Sequence, residues 1–430
     1  MWRRSVEVLR AVLAESGADP REIAGLGVVT QRGTAHCWDA ATGEPLAPAI
    51  GWQDQRTAER VREFRDVGIP INALASATKF EWLIQNEPRV REAARVGRLR
   101  LGTPDTWITA KLTGFTSHVT DPGNASCTAL LDLDGNEWSG PLLELFHVPR
   151  EPLPEIVATS QIVGETTADL FGSPVPVAAR AGDQQAAAFA QGVHAAGDAK
   201  LTLGTSAMLD LHVGETPVAS EAGSFGLALW RLADGAAAYC KEATVITAGA
   251  AVDWLVSTGI AANAKEVDLL ACEVDTSGGV MFVPALQGLG SPFLDDRARG
   301  MFTGLTRGSG KREFARAVLE GVAHRCVDLC EALEFGKGPL RVDGGLAQSE
   351  FLVQAIADFA GCELLRAREV ETTALGAAFF AGLATDVFAD PGGCCARLGA
   401  PSHFVPGPRA EGRGVERERW RELLERARAG

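Results

Sequence analysis

Hydrophobic positions near the start of the chain repeat with the period of an α-helix. Four apolar side chains fall on one helical face: Trp2, Val6, Leu9 and Leu13. Gly17 follows as a residue suited to end the helix. The next apolar run, residues 25–29 (GLGVV), is short and uninterrupted, which predicts a buried strand. A hairpin with a Thr-Gly turn is predicted after it, over residues 30–46.

Strand and helix patterns continue to alternate in the second half of the chain. Residues 200–209 (KLTLGTSAML) predict two strands joined by a Gly-Thr-Ser bend, and residues 339–345 (PLRVDGG) predict a strand that enters a glycine turn. The remaining predicted elements are helices at 313–333, 349–361 and 372–384, a loop at 390–414, and a closing surface helix at 416–429. This alternation predicts an α/β fold with a largely parallel or mixed sheet.

Length, charge and cysteine usage narrow the class of protein. A chain of 430 residues exceeds one ordinary core, so we expect two domains, 1–182 and 183–430, divided where Pro and Gly cluster. The net charge of -14 argues against nucleic-acid or membrane partners, and the longest apolar run, 374–384, is too short to span a bilayer. Nine scattered cysteines without a CxxC pair, behind a charged first segment, predict reduced thiols in the cytoplasm. The histidines show no zinc-ligand spacing, so no metal held by the protein alone is predicted.

The candidate functional features of the sequence are one carboxylate and two glycine turns. Asp183 opens an alanine-rich helix in residues 181–192 (AGDQQAAAFAQG), where an Asp serves equally well as a helix N-cap or as a general base. The bend at 204–206 and the turn at 344–345 follow strands, where glycines let backbone amides approach an anion. Each turn alone is typical of an ordinary tight turn, and neither matches a Walker or dinucleotide-binding pattern. Together they favour a nucleotide cleft.

Long stretches in a fixed order give the chain a family resemblance. They include GLGVVTQRGT, AIGWQDQRT, ASATKFEWL, GTPDTWITAKLTG, AGDQQAAAFAQG, LTLGTSAML, FVPALQGLGSPFLDDRARGMFTGLTRG, LRVDGG and ETTALGAAFFAGLA. From about residue 20 to about residue 385 the sequence resembles the FGGY carbohydrate kinases, most closely those that phosphorylate glycerol. The resemblance implies two actin-like (ribonuclease-H-like) α/β domains, with ATP and substrate in the cleft between them.

The resemblance also implies roles for individual residues. Asp183 falls on the position of the general base, which orients the substrate hydroxyl and takes its proton late in phosphoryl transfer. Three residues fall on substrate-contact positions: Arg32, Trp52 and Gln184. Five fall on nucleotide-contact positions: Thr205, Gly249, Asp253, Gly345 and Ser349. The residues by themselves also allow a surface salt bridge for Arg32, a core position for Trp52 and close helix packing for Gly249. ATP and Mg²⁺ are the implied cofactors, a polyol or sugar the implied substrate, and homo-oligomers a frequent family trait.

Several positions depart from the pattern of the glycerol-phosphorylating members. Gly33 stands where they have a glutamate, Leu74 where they have a tyrosine, and Met208 where they have a phenylalanine. Lost hydroxyl and carboxylate contacts are worth roughly 1 to 3 kcal/mol each. Because Gly33 is also expected to open space, a longer polyol or a sugar is an alternative substrate. Asp253 and Ser349 replace amides that contact ATP.

The phosphate-binding DxGT hairpin with which the family begins has no counterpart in the sequence, which opens in the helix that follows it. Losing one such preorganised donor removes roughly 3 to 4 kcal/mol of transition-state stabilisation, so we expect poor turnover from these 430 residues. Either the recorded start is too late, or the protein is a degraded kinase that binds nucleotide or polyol without efficient turnover. An actin-like chaperone ATPase is a third hypothesis, but it does not account for AGDQQ or TQRGT.

Overall fold

Helices and strands alternate along most of the chain, as the hydrophobic pattern predicts. The computed structural model describes residues 1–221, 223–336, 338–369 and 371–429. Its strands are β1 (Leu26–Thr30), β2 (His36–Asp39), β3 (Leu99–Gly102), β4 (Val119–Thr120), β5 (Leu131–Asp132), β6 (Glu137–Trp138), β7 (Glu155–Ile156), β8 (Val177–Gly182), β9 (Ala199–Leu203), β10 (Ala207–Gly214), β11 (Phe225–Arg231), β12 (Ala237–Val245), β13 (Met281–Val283), β14 (Met301–Thr303), β15 (Leu340–Asp343), β16 (Leu364–Arg366) and β17 (Ser402–Phe404). Its helices are α1 (Trp2–Ser16), α2 (Ala58–Asp66), α3 (Ala77–Asn86), α4 (Pro88–Arg95), α5 (Pro104–Leu112), α6 (Pro122–Ser126), α7 (Gly140–Leu145), α8 (Ala168–Phe171), α9 (Asp183–Ala190), α10 (Gly249–Ser257), α11 (Ala264–Cys272), α12 (Lys311–Ala332), α13 (Glu350–Ala360), α14 (Thr372–Ala384), α15 (Pro391–Cys395) and α16 (Arg413–Arg428).

A seven-stranded mixed sheet organises the second half, with the strand order β11-β12-β10-β9-β15-β16-β17. β9 pairs antiparallel with β10 through the predicted hairpin and parallel with β15 on its other side. The long helix α12 and helix α13 share one buried core with these strands. The bend after β9 and the glycine turn after β15 therefore lie at the same end of two neighbouring strands.

Smaller sheets and short helices build the first half. β1 pairs in parallel with β8, and β2 pairs antiparallel with β3. The hairpin predicted for 30–46 is present as a tight turn, in which the Asp39 amide donates to the Glu44 carbonyl at 3.0 Å. α1 ends at Gly17, which adopts the left-handed conformation (φ 66°) that the sequence predicts for it. Over the described ranges, every helix is too short or too polar to cross a bilayer.

Two glycines let helix α14 press directly against other backbone. A Cβ atom on Gly376 would lie 1.9 Å from the Ala186 carbonyl oxygen in α9, and a Cβ on Gly27 would lie 2.2 Å from the Ala377 carbonyl oxygen. Any larger residue at either position would force these elements apart. α14 thereby fixes α9, which begins at Asp183, relative to β1 in the first half.

The end of the chain corrects one prediction. Residues 390–414, predicted as a loop, contain α15 and the edge strand β17, which pairs antiparallel with β16. The closing helix α16 lies at the surface as predicted, and its one buried face includes Trp420, which donates to the Asp328 carboxylate at 3.1 Å. A triplet such as residues 402–404 (SHF), with one apolar side chain, gives no periodic signal, so pairing with β16 decides its structure.

The buried thiols predict a loss of stability at alkaline pH. Burial raises the pKa of Cys37 and Cys362 to about 11 and that of Cys326 to about 12, from 9.0. A raised pKa contributes stability that is complete below pH 9 and is lost as pH rises through the folded value. Burial lowers the pKa of Lys79 to about 8, which makes stability rise with pH instead. This one lysine is opposed by the three thiols. We expect the melting temperature to fall steadily from pH 9 to pH 11 under reducing conditions; a flat or rising profile over that range would contradict the burial of these thiols.

Candidate active site

A cavity of about 500 Å³ lies between the two halves of the chain. It is lined by residues of both halves that the sequence singled out: Arg32, Gly33, Trp52, Leu74, Asp183, Gln184 and Met208. Ser206, the neighbour of Thr205 in the bend, lines the same cavity. The structure thus brings together the predicted base, all three predicted substrate contacts and one side of the predicted phosphate bend.

Asp183 is the first residue of α9 and Gly182 is its N-cap. The side chain of Asp183 is 38% exposed toward the cavity, and its Oδ1 accepts a hydrogen bond from the Gln184 amide at 2.9 Å. The simple N-cap interpretation is therefore wrong by one residue, although the carboxylate still gains from the positive end of the helix. A half-exposed carboxylate at a fixed helix start can accept a proton from a ligand hydroxyl.

Arg32 connects the first half to the second. Its Nε lies 3.5 Å from Oδ1 of Asp183, and its Nη1 lies 2.7 Å from Oε2 of Glu242. The guanidinium also donates to the sulfur atoms of Cys127 and Met208, at 3.2 and 3.0 Å. The side chain is only 9% exposed, so the interpretation of Arg32 as a surface salt bridge is wrong. Such a fixed guanidinium can hold hydroxyl or phosphoryl oxygen atoms at the floor of the cavity.

Gln184 is oriented from behind by two donors on β9. Its Oε1 accepts from Lys200 Nζ at 2.7 Å and from Thr202 Oγ1 at 2.9 Å. Since the carbonyl oxygen of the amide is occupied by these donors, its NH₂ group is the end left for a ligand. Lys200 is fully buried and lies 3.7 Å from Asp210 and 3.9 Å from Asp343.

A pair of buried carboxylates stands behind Arg32. Asp210 and Glu242 are cross-strand partners on β10 and β12, and both are nearly inaccessible to solvent. Burial, together with the neighbouring charge of Glu242, raises the pKa of Asp210 well above its usual range. Asp210 thus holds a proton more readily than an ordinary carboxyl group, and Arg32 and Lys200 lie nearby with positive charge.

The cavity wall opposite α9 carries Trp52, Gly33 and Leu74. Trp52 is half-buried and lines the cavity, so it is not a core tryptophan. Gly33 has φ 70°, and a Cβ there would lie 2.2 Å from the Leu74 carbonyl oxygen. Buried Lys79 donates to both the Gly33 and Leu74 carbonyls, at 2.8 and 2.9 Å. The expectation that Gly33 opens space is therefore wrong: the Leu74 backbone already occupies it.

Restoring a glutamate at position 33 is expected to destabilise the protein. A non-glycine residue at this positive φ, in contact with the Leu74 carbonyl, should lower the free energy of unfolding by more than about 1 kcal/mol. Chemical denaturation of Gly33→Glu and Gly33→Ala would measure it, with Gly51→Ala as the control, since a Cβ at Gly51 meets nothing within 4 Å. Equal stability of all three variants would contradict the close contact.

The predicted nucleotide residues lie outside the cavity lining, and two of them, Thr205 and Gly249, meet at the β9–β10 bend. Thr205 is exposed at the bend. The Gly249 amide donates to the Gly204 carbonyl at 2.9 Å, and a Cβ on Gly249 would lie 2.6 Å from that oxygen. The start of α10 therefore packs closely against the bend at Gly249. Gly344 likewise packs on Leu203, where a Cβ would lie 2.4 Å from the carbonyl oxygen.

The other three nucleotide positions differ in accessibility. Gly345 is exposed and has open space beside it, and Asp253 is exposed on α10. Ser349 is the N-cap of α13, where its Oγ accepts from the Leu352 amide at 3.0 Å and donates to Asp268. Its hydroxyl is thus used within the protein, while Gly345 and Asp253 face solvent.

Sequence reasoning missed the residues behind the site, namely Lys200, Asp210 and Glu242. Each is a charged residue inside a mainly apolar strand, which is the signal that identifies them. The register then brings them together, because Asp210 lies opposite both Lys200 on β9 and Glu242 on β12. Within the described part of the chain, no group of three or more His, Cys, Asp or Glu side chains could hold a metal ion.

Comparisons with known proteins cover both halves of this cleft. Residues 1–190 match the N-terminal domain, and residues 199–385 the C-terminal domain, of the FGGY family of carbohydrate kinases. The glycerol kinase of Citrifermentans bemidjiense is 40% identical over 438 residues, which cover 98% of this chain and 87% of that protein. The glycerol kinase of Thermus brockianus is 39% identical, with 100% and 89% covered. The crystal structure of Plasmodium falciparum glycerol kinase with ADP has a TM-score of 0.87 at 29% identity, with 94% of this chain and 83% of that one covered.

The mixed α/β fold with a cleft between its two halves is thus that of a two-domain kinase. The family domains together span most of the chain, and the relatives align almost end to end with it. The chain belongs to the FGGY family of carbohydrate kinases.

Proposed function

We propose that this protein transfers the terminal phosphoryl group of ATP to a hydroxyl of glycerol or a related polyol or sugar, giving a phosphate monoester. The observation that carries the proposal is that Asp183, Arg32 and Gln184 line one cavity with Ser206 of the strand bend. The curated relatives at 40% and 39% identity, which are glycerol kinases, support glycerol as the reference substrate.

In the proposed reaction Asp183 is the general base. It orients the attacking hydroxyl and accepts its proton as the bond to the phosphoryl group forms. The NH₂ group of Gln184 donates to a second substrate hydroxyl, and Trp52 packs against the carbon chain. Arg32, 3.5 Å from Asp183, holds a substrate hydroxyl and offsets negative charge on the phosphoryl group in flight.

ATP is proposed to bind at the β9–β10 bend and the turn after β15. The exposed Thr205 hydroxyl and the open backbone at Gly345 fit phosphate oxygens, which prefer hydroxyl and amide donors at glycine turns. Asp253 and Gly249, at the start of α10, and Ser349, at the start of α13, are proposed to border the rest of the nucleotide. Mg²⁺ is proposed to enter with ATP, because it usually binds substrate phosphates together with one or two carboxylates, and Asp183 is an exposed candidate.

An assay of ADP release with ATP, Mg²⁺ and glycerol tests the proposal, with the phosphate monoester identified by mass spectrometry. Glycerol-dependent ADP release is the expected result. The alternative is a degraded kinase, for which we expect binding without turnover. Calorimetry with ATP and with glycerol measures that binding and so distinguishes the two. We propose the cytoplasm as the site of the reaction, because ATP is abundant there. We also propose that the protein associates into homo-oligomers and that its domain boundary follows residue 182.

A further inference from the structure

The cavity that holds Asp183 continues into an apolar part. Six side chains line this part, which we call the apolar annex: Ile69, Ile71, Leu131, Leu133, Leu142 and Phe146. Ile71, Leu131 and Phe146 belong to the buried core of the first half. The other three are half-buried and pack against the same core. The annex is therefore a wall of packed core side chains that faces an open cavity.

Four polar side chains elsewhere in the lining each make a hydrogen bond within the protein. Asn72 Oδ1 accepts from a backbone amide at 3.0 Å, and Ser220 Oγ accepts from another at 3.0 Å. Ser126 Oγ donates to a backbone carbonyl at 2.9 Å, and Gln31 donates to a threonine hydroxyl at 2.9 Å. The charged side chains of the lining, Arg32, Asp183 and Glu242, lie outside the annex, which offers apolar contact.

Glycerol fills only a fraction of this space. It occupies roughly 120 Å³, the share of about four water molecules at about 30 Å³ each, whereas the cavity measures about 500 Å³. A longer polyol would place hydroxyl groups against the annex, where they would lose water without gaining partners. An apolar group would instead gain affinity by roughly three- to fourfold for each methylene it buries there.

We propose that the annex binds the apolar substituent of a substituted polyol, such as glycerol that carries an alkyl group of several carbons on one terminal oxygen. The free hydroxyl at the other end then faces Asp183. Leu74 and Met208 lie in the same lining and extend the apolar surface toward the polar end. This inference rests on the proposed kinase function, since it names the class of substrate for that same site.

Steady-state kinetics with glycerol, 1-O-methylglycerol, 1-O-butylglycerol and diglycerol test the inference. Diglycerol has a length close to that of the butyl ether but carries hydroxyl groups. We expect kcat/KM to rise with alkyl length, by at least about tenfold from the methyl to the butyl ether, and to be no higher for diglycerol than for glycerol. Calorimetry with the same compounds gives binding constants that do not depend on turnover.

Two substitutions locate the effect. Leu133→Gln places an amide in the annex and should remove most of the preference for butyl over methyl ether. Leu269→Gln is the matched control, because Leu269 is exposed on α11 and outside the cavity lining. It should leave the preference unchanged. An equal loss of preference in both variants, or none in Leu133→Gln, would place the alkyl group elsewhere and overturn the proposal.

The outcomes separate this inference from the proposed function. If glycerol is phosphorylated and the alkyl ethers are no better than diglycerol, the inference fails and the kinase function stands. If the butyl ether binds more tightly than the methyl ether without any turnover, the annex is supported and the kinase function fails. If no compound binds or reacts, both are wrong.

Discussion

Replacing Asp183 by asparagine is expected to lower kcat by roughly 10²- to 10⁴-fold, the usual contribution of a general base. Asparagine keeps the shape of the side chain, and its oxygen can still accept from the Gln184 amide, but it cannot take a proton from a substrate hydroxyl. The KM for the polyol should change much less. ADP release at saturating ATP would measure the loss, and thermal unfolding would confirm that the fold is intact.

Asp169→Asn is the matched control for that substitution. Asp169 also stands in the first turn of a helix, but it is exposed on α8 and does not line the cavity. Its replacement should leave turnover unchanged. An Asp183→Asn protein with more than a tenth of the normal kcat would remove Asp183 from the role of base, and the proposed mechanism would have to be abandoned.

Lys200→Met is expected to raise the KM for the polyol by at least about tenfold, because the Gln184 amide loses its strongest orienting donor. The substitution also leaves Asp210 and Asp343 without their buried cation, which should lower the free energy of unfolding by roughly 3 to 5 kcal/mol. Steady-state kinetics and chemical denaturation measure the two effects separately. Since Lys200 acts through Gln184, kcat should fall less than KM rises.

A double-mutant cycle distinguishes this positioning role from general damage. In a Gln184→Ala protein, Lys200→Met should have little further effect on KM, whereas its cost in stability should persist. Thr202→Val, which removes the second donor to Gln184 without leaving a charge unpaired, should raise KM in the same direction by a smaller factor. Independent, additive effects of Lys200 and Gln184 on KM would show that the lysine is only structural.

The regular helices are the part of the fold that the sequence predicts well. Helices α12, α13 and α14 lie within two residues of their predicted bounds, because each is a long segment rich in helix-forming residues such as Ala, Leu and Glu. β17 could not be predicted, since three residues among Gly, Pro and charged neighbours become a strand only by pairing with β16. The surface position expected for α16 is present, but the partner of its buried face, where Trp420 bonds Asp328, could not be predicted from the sequence.

At the site, the sequence could not predict the contacts that depend on how the strands pair. Lys200, Asp210 and Glu242 are distant in the chain, and only the pairing of β9, β10 and β12 makes them one cluster. The error at Gly33 has a similar origin: the sequence shows a missing side chain, but not the Leu74 backbone that fills its place. Whether the nucleotide residues act as proposed stays a prediction for kinetics to decide.

The close contacts of Gly27 and Gly376 hold helix α9 in a fixed position relative to β1. Backbone touches backbone at both places, so no side chain there can change rotamer and let α9 slide. Asp183 therefore travels as a rigid unit with β1 whenever the cleft opens or narrows. Adaptation to a bulkier acceptor is therefore expected at other residues that line the cavity, such as Trp52 and Leu74, while the proposed base keeps its position.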